Sequence, residues 1–186
     1  MLKKSLEMIN TAIMKKLNIL LFFLFTSIYV HGQAVFDTFE TNEKVNAVVV
    51  NKKMFDLMSK IKVDANDTTA QNYLILIKSL DYLRVLTTSD LATAQLLVLT
   101  TNDYLAKNPL TELMNSVNNE KNVKIYVKRA KNIDLIAELI MLIEDQQIKN
   151  NITVMTLSGN FSLNALSTLT DRMDLPGGEQ IKSLQK

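Results

Sequence analysis

No cysteine occurs in the 186 residues, and the single histidine, His31, stands close to the N-terminus. From Gln33 onward the chain has neither imidazole nor thiol. That excludes a serine–histidine triad, a cysteine nucleophile, an ordinary structural zinc site and the common kinds of haem ligation from this part of the chain. A glycine-rich phosphate loop and a nucleophile elbow are also missing. Only carboxylate, lysine, tyrosine and hydroxyl groups remain to do chemistry, and no cofactor is expected. Without disulfides, the fold must rest on its apolar core, which the roughly 150 residues that follow Gln33 are long enough to build.

A long hydrophobic run is missing too. The apolar stretch Leu17 to Val30 follows Lys15 and Lys16, is interrupted by Asn18 and the Thr26-Ser27 pair, and ends near the small residue Gly32. A membrane-spanning helix needs roughly twenty apolar residues, whereas a secretory signal has a short basic start and about 7–15. Residues 1–33 therefore read as a signal peptide whose start is Met14, with cleavage after Gly32 leaving Gln33 or Ala34. Phe22, Phe23 and Phe25 go all round a helix and leave no polar stripe, which argues against a core helix. The alternative is an uncleaved N-terminal anchor, the one case in which a membrane is a partner.

Removing residues 1–33 takes away Lys3, Lys4, Lys15, Lys16, Glu7 and His31. Lysine plus arginine falls from 21 to 17 and acids from 19 to 18, so the formal charge moves from +2 to −1. The basic balance belongs to the leader, and nucleic acid is not an expected partner. A periplasmic or secreted location follows from the same reading.

Along the rest of the chain, hydrophobic periodicity divides the sequence. VNAVVV (45–50) predicts a buried strand, and after it Met54, Phe55, Met58 and Ile61 repeat at helical spacing, with Asn51 available as a cap. DANDTT (64–69) reads as a polar loop, and 72–80 as a helix with Tyr73, Leu74, Ile77 and Leu80 inward, its apolar density also fitting a strand. A strand at 82–88 and a Ser89-Asp90 cap lead into a helix that Asn108-Pro109 ends. Strands are predicted at 110–117, 123–130, 135–144 and 151–158, with turns at Asn118-Asn119 and Asp145 to Asn150. Gly159 breaks the last strand, Asn160 or Ser162 caps, and Leu163, Leu166, Leu169 and Met173 form an inward stripe as far as Asp174 to Gly178. The expected fold is α+β: a mostly antiparallel sheet with helices packed on one face, one domain over 34–175, and a tail at 176–186 that is a short helix or frayed.

The opening FDTFETNEKVNAVVVNKKMFDLM, the middle LDYLRVLTTSD, the strand VKIYVKRA followed by IAELIMLIE, and TVMTLSGNFSL together resemble a domain-of-unknown-function family, number 4252, over nearly all of residues 35–173. The resemblance implies a small exported α+β protein of Bacteroidota envelopes and transfers no catalytic residue. Gln33 stands where many such proteins carry a lipid-attachment cysteine.

Three sets of residues are candidates for function. Lys124, Tyr126 and Lys128 share one face of VKIYVKRA, with Lys121, Arg129 and Lys131 near, a cluster suited either to a polyanion or to keeping a solvated strand from pairing. Glu138 lies in an apolar strand on the side of Ile136, Ile140 and Leu142. It is either a partly buried general acid or the cross-strand partner of Lys124, Lys128 or Arg129. The turn SGNFS (158–162) offers an anion-binding helix start or simply a cap. The methionines read as core filling. Sequons at Asn66, Asn151 and Asn160 matter only in a glycosylating host. The expected function is binding of a protein or envelope component. The alternatives are a carboxylate-dependent hydrolase centred on Glu138 and a membrane-anchored regulatory domain.

Overall fold

The computed structural model describes residues 32–117 and 120–184. The Leu17–Val30 stretch and the Asn118-Asn119 turn lie outside them. Among the described residues no helix is long and apolar enough to cross a membrane.

Six strands form one antiparallel sheet: β1 (Asn46–Asn51), β2 (Leu80–Thr88), β3 (Thr111–Val117), β4 (Lys121–Arg129), β5 (Ile136–Asp145) and β6 (Ile152–Phe161). Their order across the sheet is β1-β2-β6-β5-β4-β3. The run β3 to β6 is the meander that the turn residues predict. β2 then docks on the free side of β6, and β1 on β2. Bulges interrupt four of the five pairings, and only β1–β2 keeps an unbroken register. One bulge corrects the expected strand break at Gly159. This residue lies inside β6 at φ +153°, where Cβ of any other residue would meet the Ser79 carbonyl and stand 2.9 Å from the Leu80 Cα. Glycine here bends the strand without ending it.

Among the described residues six α-helices connect or cover the strands: α1 (Asp37–Glu40), α2 (Lys52–Met58), α3 (Thr68–Ser79), α4 (Leu91–Lys107), α5 (Leu163–Met173) and α6 (Gly178–Ser183). Four start on a side chain that accepts from the third residue onward: Asn51 from Met54 N at 3.1 Å, Asp67 from Ala70 N at 2.8 Å, Asp90 from Thr93 N at 3.0 Å and Ser162 from Ala165 N at 3.2 Å. Each such cap stabilises its helix by about 1 kcal/mol. Asp67 starts α3 inside the stretch expected to be a loop, and Ser162, not Asn160, caps α5. α4 ends one residue before Asn108-Pro109, as proline requires.

The sheet buries both faces. On the first, Leu83, Val85, Ile125, Val127, Leu139 and Met141 pack with Phe55 of α2, Leu76 and Ile77 of α3, Leu166 and Leu169 of α5 and Ile181 of α6. On the second, Leu86, Ile140, Leu142 and Val154 pack with Leu97 and Tyr104 of α4 and with Phe36 and Phe39. The antiparallel α+β class holds. Helices packed on one face describes α2, α3, α5 and α6, and the opposite face carries α4 as well. Burial on both sides explains why β5 (IAELIMLIED) shows no polar alternation. In α2 only Phe55 is fully buried. Met54 is exposed on the outer side of the helix, and Ile61, beyond the end of the helix at Met58, is exposed as well.

Candidate functional site

Facing residues in paired strands point to the same side, so the register lays out the second face as rows. One row runs Tyr82, Ser158, Glu138 and Lys128 across β2, β6, β5 and β4. The next runs Val49, Arg84, Thr156, Ile140, Tyr126 and Glu112 from one edge of the sheet to the other. Lys124 follows opposite Leu142. All four residues singled out from sequence, Lys124, Tyr126, Lys128 and Glu138, therefore share one face, and Lys128 lies directly opposite Glu138. Ile136 does not join them: the bulge between Ile136 and Glu138 turns it into the first-face core.

Their surroundings are not uniformly basic. Lys124 and Tyr126 are half-buried, and only Lys128 is exposed. Burial, together with a hydrogen bond to Glu112 and the charge of that carboxylate, raises the Tyr126 phenol above its ordinary pKa. One position along, the Asn122 amide donates to Glu144 at 3.3 Å. Glu138 lies at the inner end of α4, where the buried Tyr104 hydroxyl donates to its Oε1. Burial first, then Glu138, pushes the Tyr104 phenol well up. A hydroxyl so held is a fixed donor to the carboxylate.

The densest polar cluster is one that the sequence reading did not single out. Arg84, only 2% exposed, is enclosed on the second face with its guanidinium bonded to the carboxylates of Asp37 and Glu40. Tyr82 donates to Glu40 Oε1 at 2.8 Å, and the guanidinium carbon stands 4.9 Å from the Tyr82 ring centre and 5.9 Å from that of Phe36. Burial and the Glu40 bond raise the Tyr82 phenol. Phe36 also meets Tyr104, ring centres 5.7 Å apart, so one aromatic pair joins the Arg84 cluster to Glu138. A charged residue in the middle of YLRVL, and two acids three apart beside Phe36 and Phe39, were the available signals. A buried cation needs acids from somewhere.

The arrangement clamps the opening segment. α1 places Asp37 and Glu40 over Arg84 while Phe36 and Phe39 insert beside it, and the guanidinium is occupied by the chain itself. The hydrolase alternative requires Glu138 in a concave pocket beside a second acid. Two cavities of the surface have other linings. One is an apolar groove between α4 and β6, formed by Leu91, Ala94, Gln95, Val98, Leu99, Asn150 and Ile152. The other lies beneath the start of α5, among Leu113, Val127, Arg129, Asp134, Ile136 and Ser162. At SGNFS, Ser162 Oγ accepts from the Ala165 N–H as a cap.

The apolar groove continues onto the outer surface of α4. Leu91, Leu96 and Leu99 are 53%, 55% and 64% exposed, and no charged residue occurs from Leu91 to Thr101. Isolated exposed leucines are ordinary. Three on one uncharged helical stretch beside a groove of the same character form a continuous apolar patch.

No curated protein and no solved structure matches the chain. A family model described as Domain of unknown function (DUF4252) matches residues 39–169, from the clamped opening segment to the middle of α5. The chain belongs to that family.

Proposed function

We propose that this protein is an exported, periplasmic or secreted domain that works by binding a protein or other envelope component, not by catalysis. The observation that carries the reading is the uncharged apolar surface of α4 with the groove beside it. Such a surface gains from being covered: each leucine taken fully out of water contributes about 1.5–3 kcal/mol. The basic-then-apolar leader of residues 14–32 supports export. The lack of imidazole and thiol after Gln33 supports binding over turnover, as does the engagement of Glu138 by Tyr104.

Fractionation of host cells with N-terminal sequencing tests export. The expected product lies outside the cytosol and begins at Gln33 or Ala34, and an intact leader on soluble cytosolic protein contradicts the proposal. Turnover of an ester, glycoside or peptide substrate that is lost in Glu138→Gln would contradict the binding role.

A further inference from the structure

The sheet ends in two edge strands of different construction. β3 carries Glu112 and a bulge between Glu112 and Met114, two devices that stop an edge from pairing with another chain. β1 has neither. Its six residues, NAVVVN, contain no charge, glycine or proline, and it keeps register with β2 through all six pairs. Among the described residues the sheet continues on one side of β1 only. Val48 faces Val85 and shares the first face with Val50. Those two are buried, while Val48 is 47% exposed. A straight, apolar, unguarded edge is a template for another strand.

We propose that the occupant of this edge is a second copy of the chain, paired β1 to β1 antiparallel about a two-fold axis through Val48, giving a continuous twelve-stranded sheet. Two physical conditions lead to this partner and register. A continuous sheet keeps its faces only if paired residues lie on the same side, so the axis must pass through a residue and not between two. Centred on Val48, it sets Ala47 against Val49 of the other copy and Asn46 against Val50, and covers the exposed Val48 with itself. In the same arrangement Glu43 of each copy stands against Lys53 of the other, and Lys44 against Lys52, each of these two lysines already paired with an acid of its own copy. One end of β1 carries Glu43, Lys44 and Asp90, the last two paired at 3.0 Å, and the other carries Lys52 and Lys53 with Asp56 and Asp81. Antiparallel pairing brings the Glu43 end of each copy to the Lys53 end of the other. This contact is separate from the α4 surface and stands or falls independently of it.

The absence of cysteine from the chain makes the test direct. In the full chain, Val48→Cys introduces a lone thiol facing its own copy across the axis. Mild oxidation is expected to give a disulfide-linked dimer, whereas Val117→Cys on the β3 edge stays monomeric under the same conditions. By sedimentation the full chain is expected to be a dimer, and Val48→Lys, which sets two like charges face to face, to weaken it at least tenfold with an unchanged circular dichroism spectrum. If Val48→Lys is unfolded, the Val48→Cys oxidation decides alone. A monomeric full chain overturns the proposal, as does a dimer untouched by Val48→Lys with no crosslink from Val48→Cys. So does an extended peptide of another protein found paired with β1.

Discussion

Arg84 sets the energetics of the second face. Removing a cation of this kind from water costs several kcal/mol, which Asp37, Glu40 and two aromatic rings offset. Asp37 is 61% exposed, so Glu40 is the partner that matters inside. Glu40→Ala should destabilise the protein by about 3 kcal/mol in urea unfolding, because the buried guanidinium then lacks its enclosed carboxylate. Replacing both partners, Arg84→Met with Glu40→Leu, should cost less than the single change. A single-variant loss below the scatter of the measurement would show that the clamp contributes nothing. In the same row, the Thr156 hydroxyl is fully buried and has no hydrogen-bond partner among the described residues. Thr156→Val keeps the shape and removes the unsatisfied group. The expected outcome is a gain of about 1 kcal/mol in the same assay, and a loss would mean that the hydroxyl is bonded after all.

At the scale of elements, the caps tie sequence to pH dependence. Asp90 accepts from the Thr93 hydroxyl and N–H and from Lys44, which together hold its carboxyl down at about 2, with the Thr93 hydroxyl the largest cause. The folded pKa is depressed below the ordinary 3.8, so the stabilisation is present above 3.8 and is lost as the pH falls towards 2. Stability measured by urea unfolding from pH 5 to pH 2 should therefore fall more steeply in the wild type than in Asp90→Asn. Parallel curves would refute the linkage. The helix starts at Asn51, Asp90 and Ser162 were legible in the sequence because a cap is local, an Asn, Asp or Ser standing just before the apolar period, whereas Asp67 sits in a run of polar residues that reads as a loop. The meander was legible for a similar reason, since neighbouring strands pair through short turns. What depends on distant pairing was not. Nothing local shows that β2 docks on β6, that β5 is covered on both faces, or that a bulge turns Ile136 away from Glu138. Gly159 reads as a stop in one dimension and as a bend once Ser79 is packed against it. Arg84 was passed over because its acids lie more than forty residues away in sequence.

Across the whole molecule, the two faces of the sheet do different jobs. The first is sealed by four helices. The second is closed by α4 and the clamped opening segment, which itself follows directly on the expected cleavage point. Three of its polar groups are engaged internally, Glu138 by Tyr104, Tyr126 by Glu112 and Arg84 by two acids. That leaves the apolar outer surface of α4 as the feature with most to gain from a partner. The direct measurement is photo-crosslinking in intact host cells from a reactive residue placed at Leu96, with a second placed at Lys149 as a reference. Binding through α4 predicts one discrete heavier adduct from position 96 that is absent from position 149 and lost when Leu99→Asp is added. Equal labelling at both positions, or an adduct that survives Leu99→Asp, would contradict it.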